Sequence, residues 1–141
     1  MISTPRGAMI LGWSGVLPFV GLAAALAVGL GGPDQMSDVL RLYGSVILSF
    51  MGGVHWGVAI LRNDDRLSAY AVSVVPALWA FALAFTPATI AFSGLVVGFV
   101  GLLIYDVGCV GRGHLPEWYG RLRRWLTLAV CACLVAAAVV S

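Results

Sequence analysis

Five apolar stretches separated by short polar turns make up most of this 141-residue chain. Only 10% of its residues are charged, whereas a soluble domain carries about 25% charged residues to cover its surface. Most of the stretches approach the ~20 apolar residues that a helix needs to cross a bilayer. The sequence therefore predicts an all-α, polytopic transmembrane bundle, with residues 1–141 as one integral membrane domain. Its five helices are expected at about residues 8–30, 39–61, 67–85, 90–110 and 125–140.

The arginines predict the orientation of this bundle. All eight basic residues are Arg, and with five spans only Arg41 lies on the side opposite the N-terminus. Because Lys and Arg concentrate in cytoplasmic loops, we expect a multi-pass protein of a bacterial inner membrane with a cytoplasmic N-terminus. The net charge of +2 is too small to indicate nucleic-acid binding. The stretch 67–85 is short for a span, and its loss would reverse the C-terminal half.

The first apolar stretch has an Ala25-Leu26-Ala27 sequence that resembles a signal-peptide cleavage site. Its apolar run continues to Leu30, so we expect a retained transmembrane helix. Pro18 and Pro76 fall inside predicted helices, where each removes a backbone hydrogen bond and favours a kink. The kinks are either ordinary bends or mark a hinge or a cavity wall.

His55 and Asp106 are the readily ionisable side chains that lie well inside the apolar stretches. A charge at the centre of a bilayer costs roughly 2.5–3.5 kcal/mol on insertion scales, so each group needs a partner or a purpose. From the helical rise, each lies about 9–10 Å from its flanking arginine, Arg62 or Arg112. Both therefore lie at similar depth in the inner leaflet, and we predict that they are in contact.

Several interpretations of this pair remain open. His55 and Asp106 either bond to each other, or Asp106 pairs with an arginine that follows it, and the pair then only fixes helix register. Alternatively they line a polar pocket for a proton, a small solute or a quinone-like headgroup, with Trp56 and Tyr105 as its walls. The arginines that could pair with Asp106 in the first interpretation are Arg121, Arg123 and Arg124.

No cofactor, metal or catalytic residue is predicted. His55 as a haem or metal ligand would need a second imidazole, and His114 lies in a loop. Cys109, Cys131 and Cys133 have no metal-ligand spacing and are read as small packing residues. No Ser stands in the strand-to-helix turn typical of a nucleophile.

Small residues recur on two of the predicted helices at intervals of three or four positions. Such spacing lets the backbone of a neighbouring helix approach closely. We therefore predict two helix-packing stripes, and we place the helix that carries His55 at the centre of the bundle. The stripes are Ser45, Ser49, Gly53 and Gly57, and Gly94, Gly98 and Gly101.

The longest polar segment, residues 111–124, is rich in aromatic residues and arginine. Trp and Tyr favour the depth of the lipid headgroups, and Arg favours the cytoplasmic face. We predict an interfacial anchor for the last helix, or else a contact surface for anionic lipid or a partner subunit. A helix is expected to start near Pro116, with residues 119–124 lying along the membrane surface. The residues concerned are Trp118, Tyr119, Arg121, Arg123 and Arg124.

The order of several motifs resembles the DUF3429 family, a domain of unknown function. The resemblance covers nearly the whole chain, and its most distinctive block is Phe50-Met-Gly-Gly-Val-His-Trp-Gly57. The other matching blocks are residues 15–19, Tyr105-Asp106 and residues 115–123. The resemblance implies a small multi-pass protein of energy-transducing membranes, without an activity or cofactor to transfer. The resemblance also singles out five residues as candidates for a functional role: His55, Trp56, Asp106, Trp118 and Tyr119.

Small size, short loops and two glycine stripes lead to a first functional hypothesis. The protein is expected to be a non-enzymatic accessory or assembly subunit of a larger, energy-transducing inner-membrane complex. Its partners would be the bilayer and other membrane subunits, with anionic lipid or a quinone as further candidates. The alternative is a small-molecule binder or transporter, for a quinone, a proton or a small solute, that uses the pocket around His55 and Asp106. An enzyme acting on lipid has no feature in its favour.

Overall fold

The computed structural model describes residues 3–141, which form six α-helices and no strand. The first two run in series as one apolar unit, Arg6–Val28, so the number of apolar units is the predicted five. Residues 1 and 2 of the predicted domain lie outside the described residues. The helices are α1 (Arg6–Ser14), α2 (Leu17–Val28), α3 (Pro33–Leu61), α4 (Leu67–Leu83), α5 (Ala88–Gly111) and α6 (Glu117–Val140).

Four of the five units are long and apolar enough to cross a membrane, namely Arg6–Val28, α3, α5 and α6. The helix α4 is apolar but has only 17 residues, and about 20 are needed for a straight crossing. The predicted all-α, multi-pass membrane bundle is confirmed. The cytoplasmic position of its N-terminus remains a prediction.

Two helices begin earlier than the apolar stretches suggested. The helix α3 starts at Pro33 rather than near residue 39, and α6 starts at Glu117 rather than near residue 125. Each start has a proline at or just before the first helical residue and an acidic residue, Asp34 or Glu117, in the first turn. Proline fits the first turn, and a carboxylate there complements the helix dipole. Residues 119–124 therefore belong to α6 and form no separate surface segment.

The break between α1 and α2 lies at Gly15 and Val16. Pro18, in the first turn of α2, has no N–H group and cannot continue the hydrogen-bond ladder from α1. The hydroxyl of Tyr43 donates to the Gly15 carbonyl at 2.8 Å. This contact satisfies a backbone group that the break would otherwise leave free, and it ties the break to α3.

The helix α3 packs against α2, α4 and α5, as its predicted central position requires. It approaches α4 closely at Gly52, where an added Cβ would lie 2.7 Å from Cγ of Pro76. Pro76, which lies inside α4, is therefore a buried packing residue of that helix. The buried face of α3 consists of Ser37, Leu40, Gly44, Leu48, Gly52, His55 and Ala59.

The predicted packing stripes are only partly correct. A Cβ at Gly94 would overlap the side chain of Leu83, and one at Gly98 would lie 2.8 Å from Leu48, so both glycines pack closely. Ser45 and Ser49 are half-buried. Gly53, Gly57 and Gly101 have nothing within 4 Å of an added Cβ, so no other helix of the described residues packs closely against them. On α3 the close approach occurs on the face of Gly44 and Gly52 instead.

Candidate functional site

A buried ionic cluster joins α3, α5 and α6. Nε2 of His55 lies 2.5 Å from Oδ1 of Asp106, and Nε of Arg123 donates to Oδ2 of Asp106 at 2.8 Å. The three residues are 3%, 0% and 3% exposed. An ionised carboxylate only accepts hydrogen bonds, so Nε2 of His55 carries the proton in this contact. The predicted contact is therefore present, and Arg123 is the arginine that joins it.

Of the two expectations for Arg123, pairing with Asp106 is confirmed and a position at the membrane interface is wrong. Because α6 begins at Glu117, Arg123 falls on its buried stripe together with Leu122, Leu126 and Thr127. The hydroxyl of Tyr119 is buried as well. Trp118 is half-buried and packs against the hydrophobic core.

The same helix carries buried polar atoms that the cluster does not use. Nη2 of Arg123, Oγ1 of Thr127 and the hydroxyl of Tyr119 have no hydrogen-bond partner among the described residues. Buried polar groups are normally paired, so this concentration on α6 is unusual. Near this end of the bundle, the inner face of α6 therefore carries more polar atoms than its packing uses. We call it the arginine-rich end, because it carries Arg62, Arg66, Arg112, Arg121, Arg123 and Arg124. Arg124 is exposed and Arg121 is half-buried.

A cavity of about 680 Å³ lies above His55, between the C-terminal ends of α3 and α5 and the start of α4. We call it the basic cavity. Small-molecule sites commonly have volumes of roughly 300–1,000 Å³. Its polar lining comprises His55, Arg62, Asp64, Arg66, Ser68, Tyr105, Cys109, Arg112 and His114. Tyr105 therefore walls the pocket as predicted.

Trp56 does not wall the basic cavity. It is 47% exposed, and its ring centroid lies 5.0 Å from that of Tyr70 in an edge-to-face contact. One residue further along a helix rotates a side chain by about 100°. When His55 faces inward, Trp56 therefore turns away.

The basic cavity carries an excess of positive charge. Three guanidinium groups, those of Arg62, Arg66 and Arg112, face one carboxylate, that of Asp64. Arg66 donates to Asp64 at 3.1 and 2.9 Å, and these hydrogen bonds lower the pKa of Asp64 to about 2. Partial burial and the neighbouring arginines lower the pKa of His114. At neutral pH Asp64 is therefore ionised and His114 is neutral, and the three arginines leave the cavity wall with an excess of positive charge.

Tyr105 connects the arginines to the ionic cluster. Its ring centroid lies 4.7 Å from that of His55, edge to face. Cζ of Arg112 lies 5.6 Å from the centroid of the same ring, within the range of a cation–π contact. Nη2 of Arg112 also lies 3.3 Å from Sγ of Cys109. These contacts hold the Arg112 guanidinium at the cavity wall, close to the buried His55.

The chemistry that this site offers is anion recognition. Guanidinium groups bind phosphate and carboxylate groups through paired, charge-assisted hydrogen bonds. Within residues 3–141, no cluster of three or more His, Cys, Asp and Glu side chains could hold a metal ion.

Comparisons with known proteins agree with this membrane architecture. The family described as "Protein of unknown function (DUF3429)" matches residues 4–139. The chain is 34% identical over 138 residues to Transmembrane protein 69 of Xenopus tropicalis. This alignment covers 93% of this chain and 53% of that relative. It is 24% identical over 133 residues to Transmembrane protein 69 of Mus musculus, with 91% and 54% covered.

The chain thus spans about half the length of the curated relatives that it matches. No solved structure matches it. The resemblance seen in the sequence motifs is confirmed by the family match over nearly the whole chain. This chain belongs to the DUF3429 family of transmembrane proteins.

Proposed function

We propose that this protein is a non-enzymatic binding protein that takes a small anionic molecule into the basic cavity. The observation that carries the proposal is the composition of the cavity wall, in which three arginines face a single carboxylate above a buried histidine. Positive charge concentrated at the end of a bundle attracts anions from the membrane surface and from solution.

The ionic cluster of His55, Asp106 and Arg123 would form the rigid base of this site. Asp106 engages Nε2 of His55, so Nδ1 is the ring atom that is left to accept a hydrogen bond from a ligand hydroxyl. Arg123 holds Asp106 from the opposite side. This rigid base, fixed by three helices, keeps the imidazole in one orientation, which favours binding over a mobile proton-transfer role.

The test is to extract the protein from its membrane in mild detergent and identify the bound small molecules by mass spectrometry. The variant Arg62→Gln/Arg112→Gln removes two cavity charges, and Arg124→Gln removes an exposed arginine that does not line the cavity. We expect an anionic molecule to accompany the wild type and Arg124→Gln but to be lost from the double variant. Equal recovery from all three proteins, or no anionic molecule from any, would contradict the proposal.

We further propose that the membrane is a bacterial inner membrane and that the arginine-rich end faces the cytoplasm. Seven of the eight arginines lie toward that end, Arg41 being the exception, in keeping with the positive-inside rule. A cysteine introduced at the exposed Asp65 should react with an impermeant maleimide only after the cytoplasmic side is opened. Labelling of intact cells would contradict this orientation.

A second candidate function, an accessory subunit of a larger membrane complex, is supported by the outer face of α3. Gly53 and Gly57 face open space, and Phe50 and Ile60 beside them are 70% and 54% exposed. Such a face lets the backbone of a partner helix approach closely. We expect Gly53→Leu/Gly57→Leu to release a stoichiometric partner during mild-detergent purification. Gly21→Leu, at another open glycine on α2, should retain it. A protein that always purifies alone would exclude this function.

A further inference from the structure

A second cavity adjoins the basic cavity. It is an apolar groove of about 280 Å³ between α4 and α5, which we call the α4–α5 groove. Val72 and Tyr105 line both spaces, so the groove and the basic cavity meet at these two residues. The rest of its wall includes Val75, Trp79, Val97 and Gly101.

The groove runs from the arginine-rich end toward the middle of the bundle. Along α4 it extends from Val72 to Trp79, seven residues or about 10 Å of helical rise. Nε1 of Trp79 donates to the Gly94 carbonyl at 2.7 Å, which fixes the indole as one wall. An added Cβ at Gly101 would meet nothing within 4 Å, so the missing side chain leaves the groove open beside Tyr105.

We propose that the basic cavity and the α4–α5 groove form one site for a membrane lipid with an anionic headgroup. The headgroup lies among Arg62, Arg66 and Arg112, and one apolar chain lies in the groove. This inference rests on the proposed function and names the class of its ligand. Neither space alone would select such a molecule, whereas a charged head joined to an apolar chain matches both.

Charge and polarity support this assignment along the whole length of the site. Guanidinium groups pair with phosphate oxygens in two-pronged hydrogen bonds, and the arginines outnumber the single carboxylate, Asp64. The cationic headgroup of a zwitterionic lipid would meet this excess of positive charge unfavourably. Below Tyr105, the groove presents valine side chains and the Trp79 indole, which favour an apolar chain by burial.

The experiment measures tryptophan quenching in purified protein held in a neutral detergent. The probe is lysophosphatidic acid with a brominated chain, which carries a phosphate headgroup and quenches nearby indoles. Lysophosphatidylcholine with the same chain tests the headgroup charge, and glycerol 3-phosphate tests the headgroup without a chain. Subtraction of the signal of Trp79→Phe isolates quenching within the groove.

Gly101→Leu adds a side chain to the groove at a position where a Cβ meets nothing within 4 Å, and Val97→Phe enlarges a side chain that already lines the groove. Gly21→Leu is the matched control, because a Cβ there also meets nothing within 4 Å and lies on α2. We expect lysophosphatidic acid to quench Trp79. Gly101→Leu and Val97→Phe should each weaken its binding about tenfold or more, since several methylene groups lose their burial. Gly21→Leu should bind as the wild type does.

Two results would overturn the inference in different ways. If glycerol 3-phosphate binds as well as the lipid and Gly101→Leu has no effect, the groove holds no chain, while the basic cavity still binds an anion as proposed. If the two lysolipids quench equally and Arg62→Gln/Arg112→Gln has no effect, the lipid contacts are non-specific. In that case both the inference and the proposed function fail.

Discussion

Arg41 and Arg62 stand toward opposite ends of α3 and differ in what their guanidinium groups contact. Nη2 of Arg41 donates to the carbonyls of Leu83 and Thr86 at 3.0 and 2.7 Å, at the C-terminal end of α4. The guanidinium of Arg62 makes no hydrogen bond or ion pair with another residue in the part of the chain that the structure describes, and it lines the basic cavity. One arginine stabilises a helix end, and the other keeps its donors available for a ligand.

The same distinction separates two adjacent glycines of α3. Gly52 faces Pro76 so closely that no side chain fits, whereas Gly53 faces open space. A glycine that packs against another helix and a glycine that faces open space therefore lie side by side on α3. A position that tolerates substitution in the folded state is the better candidate for an external contact.

The largest expected effect comes from Asp106→Ala, which removes the centre of the ionic cluster. Arg123 would keep its charge in a site where it is 3% exposed, and breaking a buried pair in this way costs about 3–5 kcal/mol of stability. The thermal midpoint in detergent and the amount of protein in the membrane should both fall. Asp38→Ala, at a carboxylate whose side chain is 75% exposed, is the control. Equal midpoints for the two variants would show that the cluster has no structural role.

Arg41→Gln removes the arginine whose guanidinium group is already hydrogen-bonded within the fold. Loss of charged hydrogen bonds to the end of α4 should reduce stability by about 1.5–3 kcal/mol, seen as a lower thermal midpoint. Arg62→Gln should leave the midpoint unchanged in the absence of ligand. If Arg62→Gln destabilised the protein as much as Arg41→Gln, Arg62 would also stabilise the fold, and our distinction between the two arginines would be wrong.

Gly52→Ala and Gly53→Ala test the two glycines. An added methyl group at Gly52 would be forced against the rigid ring of Pro76, so we expect a loss of about 1–3 kcal/mol from overpacking. The same change at Gly53 should be neutral or slightly stabilising, because Ala favours a helix over Gly. Thermal unfolding of the two variants side by side measures the difference. A greater loss at Gly53 would reverse our assignment of the helix faces.

The smallest effect is expected from Asp64→Asn. This change removes the carboxylate of the basic cavity and releases Arg66 from its ion pair. Affinity for an anionic ligand should rise severalfold with little change in the midpoint of the free protein. A titration with lysophosphatidic acid measures it, and weaker binding would indicate that the Asp64–Arg66 pair shapes the site instead of opposing the ligand.

The common level of His55 and Asp106 along their helices could be predicted from the sequence, and their full set of partners could not. Distances along the helices from Arg62 and Arg112 placed His55 and Asp106 at one level, and they are in contact. Arg123 was ambiguous because it lies in a polar run that resembled a loop. The start of α6 at Glu117 decides which way Arg123 points, and Pro116 was the signal for that start.

The faces of the glycine helices were harder to predict. A repeat of four residues drifts around a helix of 3.6 residues per turn, so spacing alone did not decide between Gly52 and Gly53. Their roles depend on where α4 lies, and the sequence alone did not fix the position of that helix. The arginine wall of the basic cavity was also missed, because it joins the loop that carries Arg62 and Arg66 to Arg112, which lies far away in sequence.

The most direct test of the account is a set of thermal midpoints measured with and without lysophosphatidic acid. A ligand that binds only the folded state raises its stability. We predict that the lipid raises the midpoint of the wild type and of Arg41→Gln, and leaves that of Arg62→Gln/Arg112→Gln unchanged. An equal rise in all three proteins, or a rise lost in Arg41→Gln alone, would contradict the assignment of ligand binding to the arginine-rich end.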